Sequence, residues 1–323
     1  MNKAALLQRF GKEPRKTMRD GVSRSVGVLV LVVTIAKLAT IAASIGLFYD
    51  RVRGSVLPTS VEEAAMKMYG HGVYRYDSLL VGAGFRGVDA VTLFIGVPLL
   101  VTSAVLYRRG SFRGALLLAG TLAYFLHNYA SMALSAAYND LFLVYIALFS
   151  TSLFAFILVL MSFDFASLPS RFSPSLPRGE IAAYLAAVGF LLVVLWLGDV
   201  VAALVKDSVP AALGSYTTIV TYVLDLGVIV PAAFVAAVLL VQSKPLGYLL
   251  AATLLTMNLT LGAALLSQGI AILFAGVRMS LPQVAGVIGS FAMLGLVSAR
   301  LMFVLLHSVL SREAHPADLH RAA

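Results

Sequence analysis

The sequence predicts an all-α integral membrane bundle of about eight transmembrane helices, with signs of a parallel 4+4 internal repeat. Three observations carry this. Of 323 residues, 60% are hydrophobic and only 12% charged, whereas about a quarter of a soluble domain is charged. Apolar runs of helix-spanning length recur, and a helix rising about 1.5 Å per residue needs about 20 such residues to cross about 30 Å of hydrocarbon. The runs are unbroken, unlike the alternating ~10-residue segments of an outer-membrane barrel.

The elements follow in order. Residues 1–25 form a basic segment with Lys3, Arg9, Lys12, Arg15, Lys16, Arg19 and Arg24. Such a segment suits a cytoplasmic juxtamembrane arm beside anionic lipid, which outweighs a nucleic-acid arm. The run behind it, 26–49, is too long for a signal-peptide core of about 7–15 residues and is read as a retained first helix. The first half, 26–163, continues with helices at 86–107, 113–136 and 139–163 after a long outer loop, 50–85. In that loop "SVEEAAMKMYG" reads as a short helix opened by a capping box, Ser60 with Glu63. "YGHGVYRYDS" then suits either an interfacial belt or a cover over an outward-facing cavity. A Ser/Pro-rich linker, 164–180, leads to the second half, 181–308, with helices at 181–204, 216–241, 246–275 and 284–308, and a tail at 309–323.

Lysine and arginine set the orientation. With eight spans, the N-terminus, Arg108, Arg109, Arg113, Arg171, Arg178, Lys244, Arg312 and Arg321 fall on one side. The positive-inside rule makes that side, and both termini, cytoplasmic. The halves also align without a gap: Pro98 meets Pro231, Gly114 meets Gly247, and Thr92 meets Asp225. Both begin on the same side, so the pseudo-two-fold axis would lie along the membrane normal, and sites in such proteins lie near the midplane between repeats.

Ionisable groups in lipid are costly and call for a partner or a cavity. Lys37, Asp225 and Asn258 fall near mid-depth; Asp89, His127, Asn128, Asp140 and Asp199 fall in the outer half. Tyr124, His127, Asn128 and Ser131 share one helical face, as do Thr218, Thr221, Tyr222 and Asp225. Thr253, Thr256, Met257 and Thr260 surround Asn258. Each has a plainer reading. Serine and threonine bond to their own backbone, asparagine and histidine tie helices together, Lys37 and Asp225 neutralise each other, and Asp89 pairs with Arg86.

Several chemistries find no support. With no cysteine, thiolate sites and disulfides are excluded. No HExxH, GxSxG or Walker motif occurs, so no metal site or bound cofactor is expected. "GAGFRG", Gly82 to Gly87, lacks the strand–helix context of a dinucleotide fingerprint and reads as a bend into the second helix. A retinal-type lysine would sit on the first helix rather than the last, which disfavours it.

The segments "VDAVTLFIGVPLL", "YTTIVTYVLDLGVIVPAAF" and "KPLGYLLAATLLTMNLTLG" resemble those of a group of uncharacterised polytopic membrane proteins of bacteria and archaea. The resemblance implies a multi-pass protein of a prokaryotic inner membrane and supplies no catalytic residue. The leading expectation is a small-solute transporter or binding protein. Its polar cavity would be built from Lys37, His127, Asn128, Asp199, Asp225 and Asn258, with Asp89, Tyr124 and Tyr222 as secondary groups. Lys37 would attract an anionic group and Asp225 a proton or cation. The alternatives are a metal-independent enzyme acting on a lipid or isoprenoid, and a membrane sensor or assembly partner. Expected partners are membrane lipid and a small molecule or ion, with no nucleic acid and room for a protein partner.

Overall fold

The computed structural model describes residues 13–50, 68–214, 216–277 and 288–310, and of residues 13–24 and 211 only the backbone. The capping-box helix and the tail arginines lie outside the described residues. The helices are α1 Glu13–Phe48, α2 Leu79–Arg108, α3 Phe112–Ser135, α4 Phe142–Leu160, α5 Arg178–Val205, α6 Val220–Val241, α7 Pro245–Phe274 and α8 Ser290–His307. All but α3 are long and apolar enough to cross a membrane. α3 has the length, at 24 residues, but carries His127 and Asn128 and is the more polar for it. The protein is therefore an all-α membrane protein. Its surface is apolar where a soluble protein's would be polar: Phe274 is 89% exposed while Asp89 is 1% exposed.

Several helix starts differ from expectation. α1 begins at Glu13, thirteen residues before the expected 26, within the basic segment. α2 begins seven residues early, at Leu79, because Ser78 caps it, its hydroxyl accepting from the Val81 N–H at 3.3 Å. The glycines of "GAGFRG" lie within the helix and admit close neighbours; a Cβ at Gly84 would stand 2.5 Å from Gln268 Nε2. α6 begins late, at Val220. This puts Asp225 in its second turn, about 8 Å from the helix middle at about 1.5 Å per residue.

α3 and α7 form the centre and touch at Gly120, where a Cβ would lie 2.3 Å from Thr256 Cβ. α2 packs on α7, α4 on α3, α8 on α7, α5 on α6, and α1 covers α2 and α4. The end carrying the α2–α3, α4–α5 and α6–α7 connections, here the basic end, is tied shut. Arg113 donates to the Leu306 and Val309 carbonyls at 2.8 and 3.0 Å. The linker joins the end of α8 through Ser173 N–H to Ser308 O, 2.7 Å, and Leu310 N–H to Arg171 O, 2.9 Å. Phe112, Phe163, Phe172 and Tyr248 fill the space between.

Local features recur at the one offset that brings Pro98 onto Pro231. Each proline follows a widened π-helical turn, Thr92–Gly96 and Asp225–Ile229. The residue before each proline donates five back, Val97 to Thr92 and Val230 to Asp225. Proline has no N–H and its ring crowds the carbonyl four residues back, so one extra residue in the turn relieves both problems. The next connections also match. Gly110 and Ser243 have positive φ, +76° and +57°. Ser111 and Lys244 bond back to Leu106 and Leu239 at 3.0 and 2.9 Å. A Cβ on Gly114 would stand 2.4 Å from Leu106 Cβ, and one on Gly247 2.4 Å from the Leu239 carbonyl carbon and the Leu240 nitrogen.

Candidate functional site: a part-polar cavity among six helices

A cavity of about 450 Å³ lies among α2, α3, α5, α6, α7 and α8. It runs to the end opposite the basic one, where Leu80, Ala212, Tyr216 and Thr218 line it. Most of its wall is aliphatic, and its polar groups converge on one region. α3 supplies His127, Asn128 and Ser131, one helical face as their spacing dictates. α6 supplies Thr221, Tyr222 and Asp225, the connection before it Thr218, and α7 Asn258 and Gln268.

The strongest feature was not singled out by sequence reasoning. Trp196 and Asp199 on α5, and Tyr222 and Asp225 on α6, form two aromatic-x-x-Asp pairs on facing helices. Each aromatic reaches across. Trp196 Nε1–H donates to Asp225 Oδ2 at 2.9 Å, and the Tyr222 hydroxyl donates to Asp199 Oδ2 at 2.9 Å. The two rings stack with centroids 4.6 Å apart. Both carboxylates sit near widened turns, Val193–Leu197 and Asp225–Ile229, which re-aim the side chains flanking them. Asp225 is 8% exposed, and its Oδ1 stands 3.7 Å from His127 Nε2. A signal for Trp196 existed: it is the chain's one tryptophan, one helical turn before Asp199.

The other expected residues divide. Asn128 lines the cavity and donates weakly to Thr92 Oγ1, 3.5 Å, which also bonds Tyr124 at 2.9 Å. Tyr124 is fully buried behind this wall and not in it. Asp199 reaches the cavity only through Tyr222. Thr256 and Thr260 bond their own helix, as the plainer reading had it.

Two expected pairings do not form. Lys37 is exposed on α1. The buried stripe of that helix is Val28, Val32, Ile35, Ala39 and Ala42, and position 37 lies on its opposite side. Lys37 therefore meets neither Asp225 nor the cavity, and its long stem can carry the charge toward a membrane surface. Asp89 does not meet Arg86. It is buried against Gly46 and accepts from the Tyr74 hydroxyl at 2.5 Å, while Arg86 donates to Tyr69 Oη and Leu47 O at 3.0 and 2.8 Å.

At the far end, Asp77 joins three segments. Its Oδ1 accepts from Ala137 N–H at 2.8 Å and from the Tyr216 hydroxyl at 2.9 Å. Its Oδ2 is buried with no hydrogen-bond partner among the described residues. Burial pushes the Asp77 carboxyl up to about 6, and the two donated hydrogen bonds oppose this only in part. Among the described residues no group of three or more metal-ligating side chains is gathered.

No family model, curated protein or solved structure matches the chain.

Proposed function

We infer that the protein is a small-solute transporter or binding protein whose site is the cavity lined by His127, Trp196 and Asp225. The carrying observation is the cavity itself: about 450 Å³, within the about 300–1,000 Å³ of small-molecule sites, with a carboxylate, an imidazole and an indole N–H converging in an apolar wall. The tied basic end and the cavity's run to the far end support an outward-facing state. In this reading α3 is the eighth span, the basic end faces the cytoplasm, and both termini lie there, as the positive-inside rule requires. The matched prolines, widened turns and connections support two related four-helix halves with the site at their interface.

Single-cysteine labelling tests this, because the native chain has no cysteine. A membrane-impermeant maleimide added from the far face is expected to label Asn258→Cys, and to leave Ser103→Cys, fully buried within α2, unlabelled. Labelling of Asn258→Cys from the basic face alone, or from neither face, overturns the reading.

A second reading is favoured by the same His127–Asp225 contact. A carboxylate and an imidazole in an apolar cavity suit general acid–base chemistry on a lipid or isoprenoid. Incubation with lipid extracts, followed by mass spectrometry, separates the two: an enzyme changes the lipids and a carrier does not.

A further inference from the structure

We propose that the cavity takes an organic cation: an amine or quaternary ammonium on an apolar or aromatic body. The proposal rests on the cavity reading above and adds the chemical class of its ligand. It reverses the expectation of an anionic ligand, which depended on Lys37.

Three features of the wall argue for it. Among the described residues lining the cavity there is no lysine or arginine, while Asp225 is part of its wall. An anion entering would meet a carboxylate in a low-dielectric surrounding with no fixed cation to offset it, whereas a cation would meet its counter-charge. Second, Trp196 and Tyr222 both line the cavity beside that carboxylate. Aromatic faces attract cations through the ring quadrupole, and quaternary ammonium groups are commonly held this way. Third, most of the rest of the wall is apolar, with Leu80, Val88, Leu192, Leu261 and Phe291 among its residues. A bare inorganic cation would leave that surface unused, and a solute polar on every side would leave groups unpaired against it.

The hydrogen bonds refine the picture. Trp196 holds Asp225 Oδ2, leaving Oδ1 turned toward His127 at 3.7 Å. A bound ammonium placed against Oδ1 would compete with a protonated His127 for the same oxygen. Ligand entry and imidazole protonation would therefore oppose each other, which is the coupling a cation/proton exchanger needs.

The test uses paired thiol reagents on Ser131→Cys, one turn along α3 from His127. The trimethylammonium-ethyl and sulfonato-ethyl methanethiosulfonates share a reactive group and differ in charge. Tyr138→Cys, at an exposed far-end position, is the reference for each reagent's ordinary reactivity. The cation-to-anion rate ratio at Ser131→Cys is expected to exceed that at Tyr138→Cys by at least about tenfold, the scale of one nearby unit charge in a medium of intermediate dielectric. Adding Asp225→Asn should bring it down toward the reference. Should that double variant fail to fold, protection decides instead: benzyltrimethylammonium should slow modification of Ser131→Cys and benzenesulfonate should not. A ratio equal to or below the reference, or protection by the sulfonate, overturns the cation proposal and leaves the cavity standing. Modification by neither reagent overturns the cavity reading itself.

Discussion

Asp225 is placed by its hydrogen bond from Trp196 and its approach to His127, and the first says what its replacement should do. The Trp196 N–H has one acceptor there, and a hydrogen bond to a charged group contributes about 1.5–3 kcal/mol. Asp225→Asn keeps an acceptor oxygen and should fold. Asp225→Leu leaves a part-buried indole N–H unmatched and should lose about 1–3 kcal/mol, the cost of an orphaned polar group. Equilibrium unfolding in mixed detergent measures the difference between the two. Because Trp196 is the sole tryptophan, its emission reports on this bond alone, and Asp225→Leu should shift it to the blue. The sequence showed the carboxylate, its Thr/Tyr face and the His127–Asn128 face. It could not show that Lys37 points away. The spanning part of α1, Ser25–Phe48, is apolar on nearly every side, so its hydrophobic pattern carries little rotation, and charge complementarity alone suggested a partner that geometry denies.

At the scale of the element, the widened turns before Pro98 and Pro231 show how a covalent fact propagates. The ring of each proline sets the turn, and the turn sets the direction in which Thr92 or Asp225 projects. The following glycines test whether the two halves are equivalent. A Cβ on Gly247 would meet backbone atoms that cannot move aside, and one on Gly114 would meet the Leu106 Cβ and backbone just beyond it. Gly114→Ala and Gly247→Ala should each destabilise by about 1–3 kcal/mol, the usual cost of overpacking, and by similar amounts. A large cost at one site and none at the other would argue against two related halves. Helix existence was legible throughout, since long apolar runs leave few alternatives. Helix beginnings were less so. The early start of α2 depends on Ser78 as a cap and on glycines that receive Tyr69 and Gln268, contacts between segments far apart in the chain.

For the whole molecule, the far end is held partly by a titrating group. Asp77 ties the segment before α2 to Tyr216 of the α5–α6 connection and to Ala137. Its carboxyl is raised to about 6 by burial, from an ordinary 3.8. The folded protein therefore holds this proton at pH values where the unfolded chain has lost it. Stability from Asp77 is fully present below pH 3.8 and is lost as pH rises to about 6, at no more than about 1.4 kcal/mol per pH unit. Asp77→Asn should flatten that part of the stability profile, as measured by thermal unfolding from pH 4 to 7. Tyr216 lines the cavity as well as bonding Asp77, so the same window should change access to the site.

α3 carries a consequence for how the chain is made. It is the central helix, and its His127 and Asn128 keep it below the apolarity of the other seven. Its partners before it in the chain are on α2, where Thr92 meets Tyr124 and Asn128; the rest, Asp225 and the Thr253–Thr256 face of α7, are synthesised much later. As it leaves the ribosome α3 is the segment that a translocon would release into lipid least readily. On the reading that α3 spans the membrane, biogenesis has a built-in waiting step: Asn128 finds Thr92 once α2 and α3 pair, while His127 has no Asp225 to meet until the second half of the chain arrives.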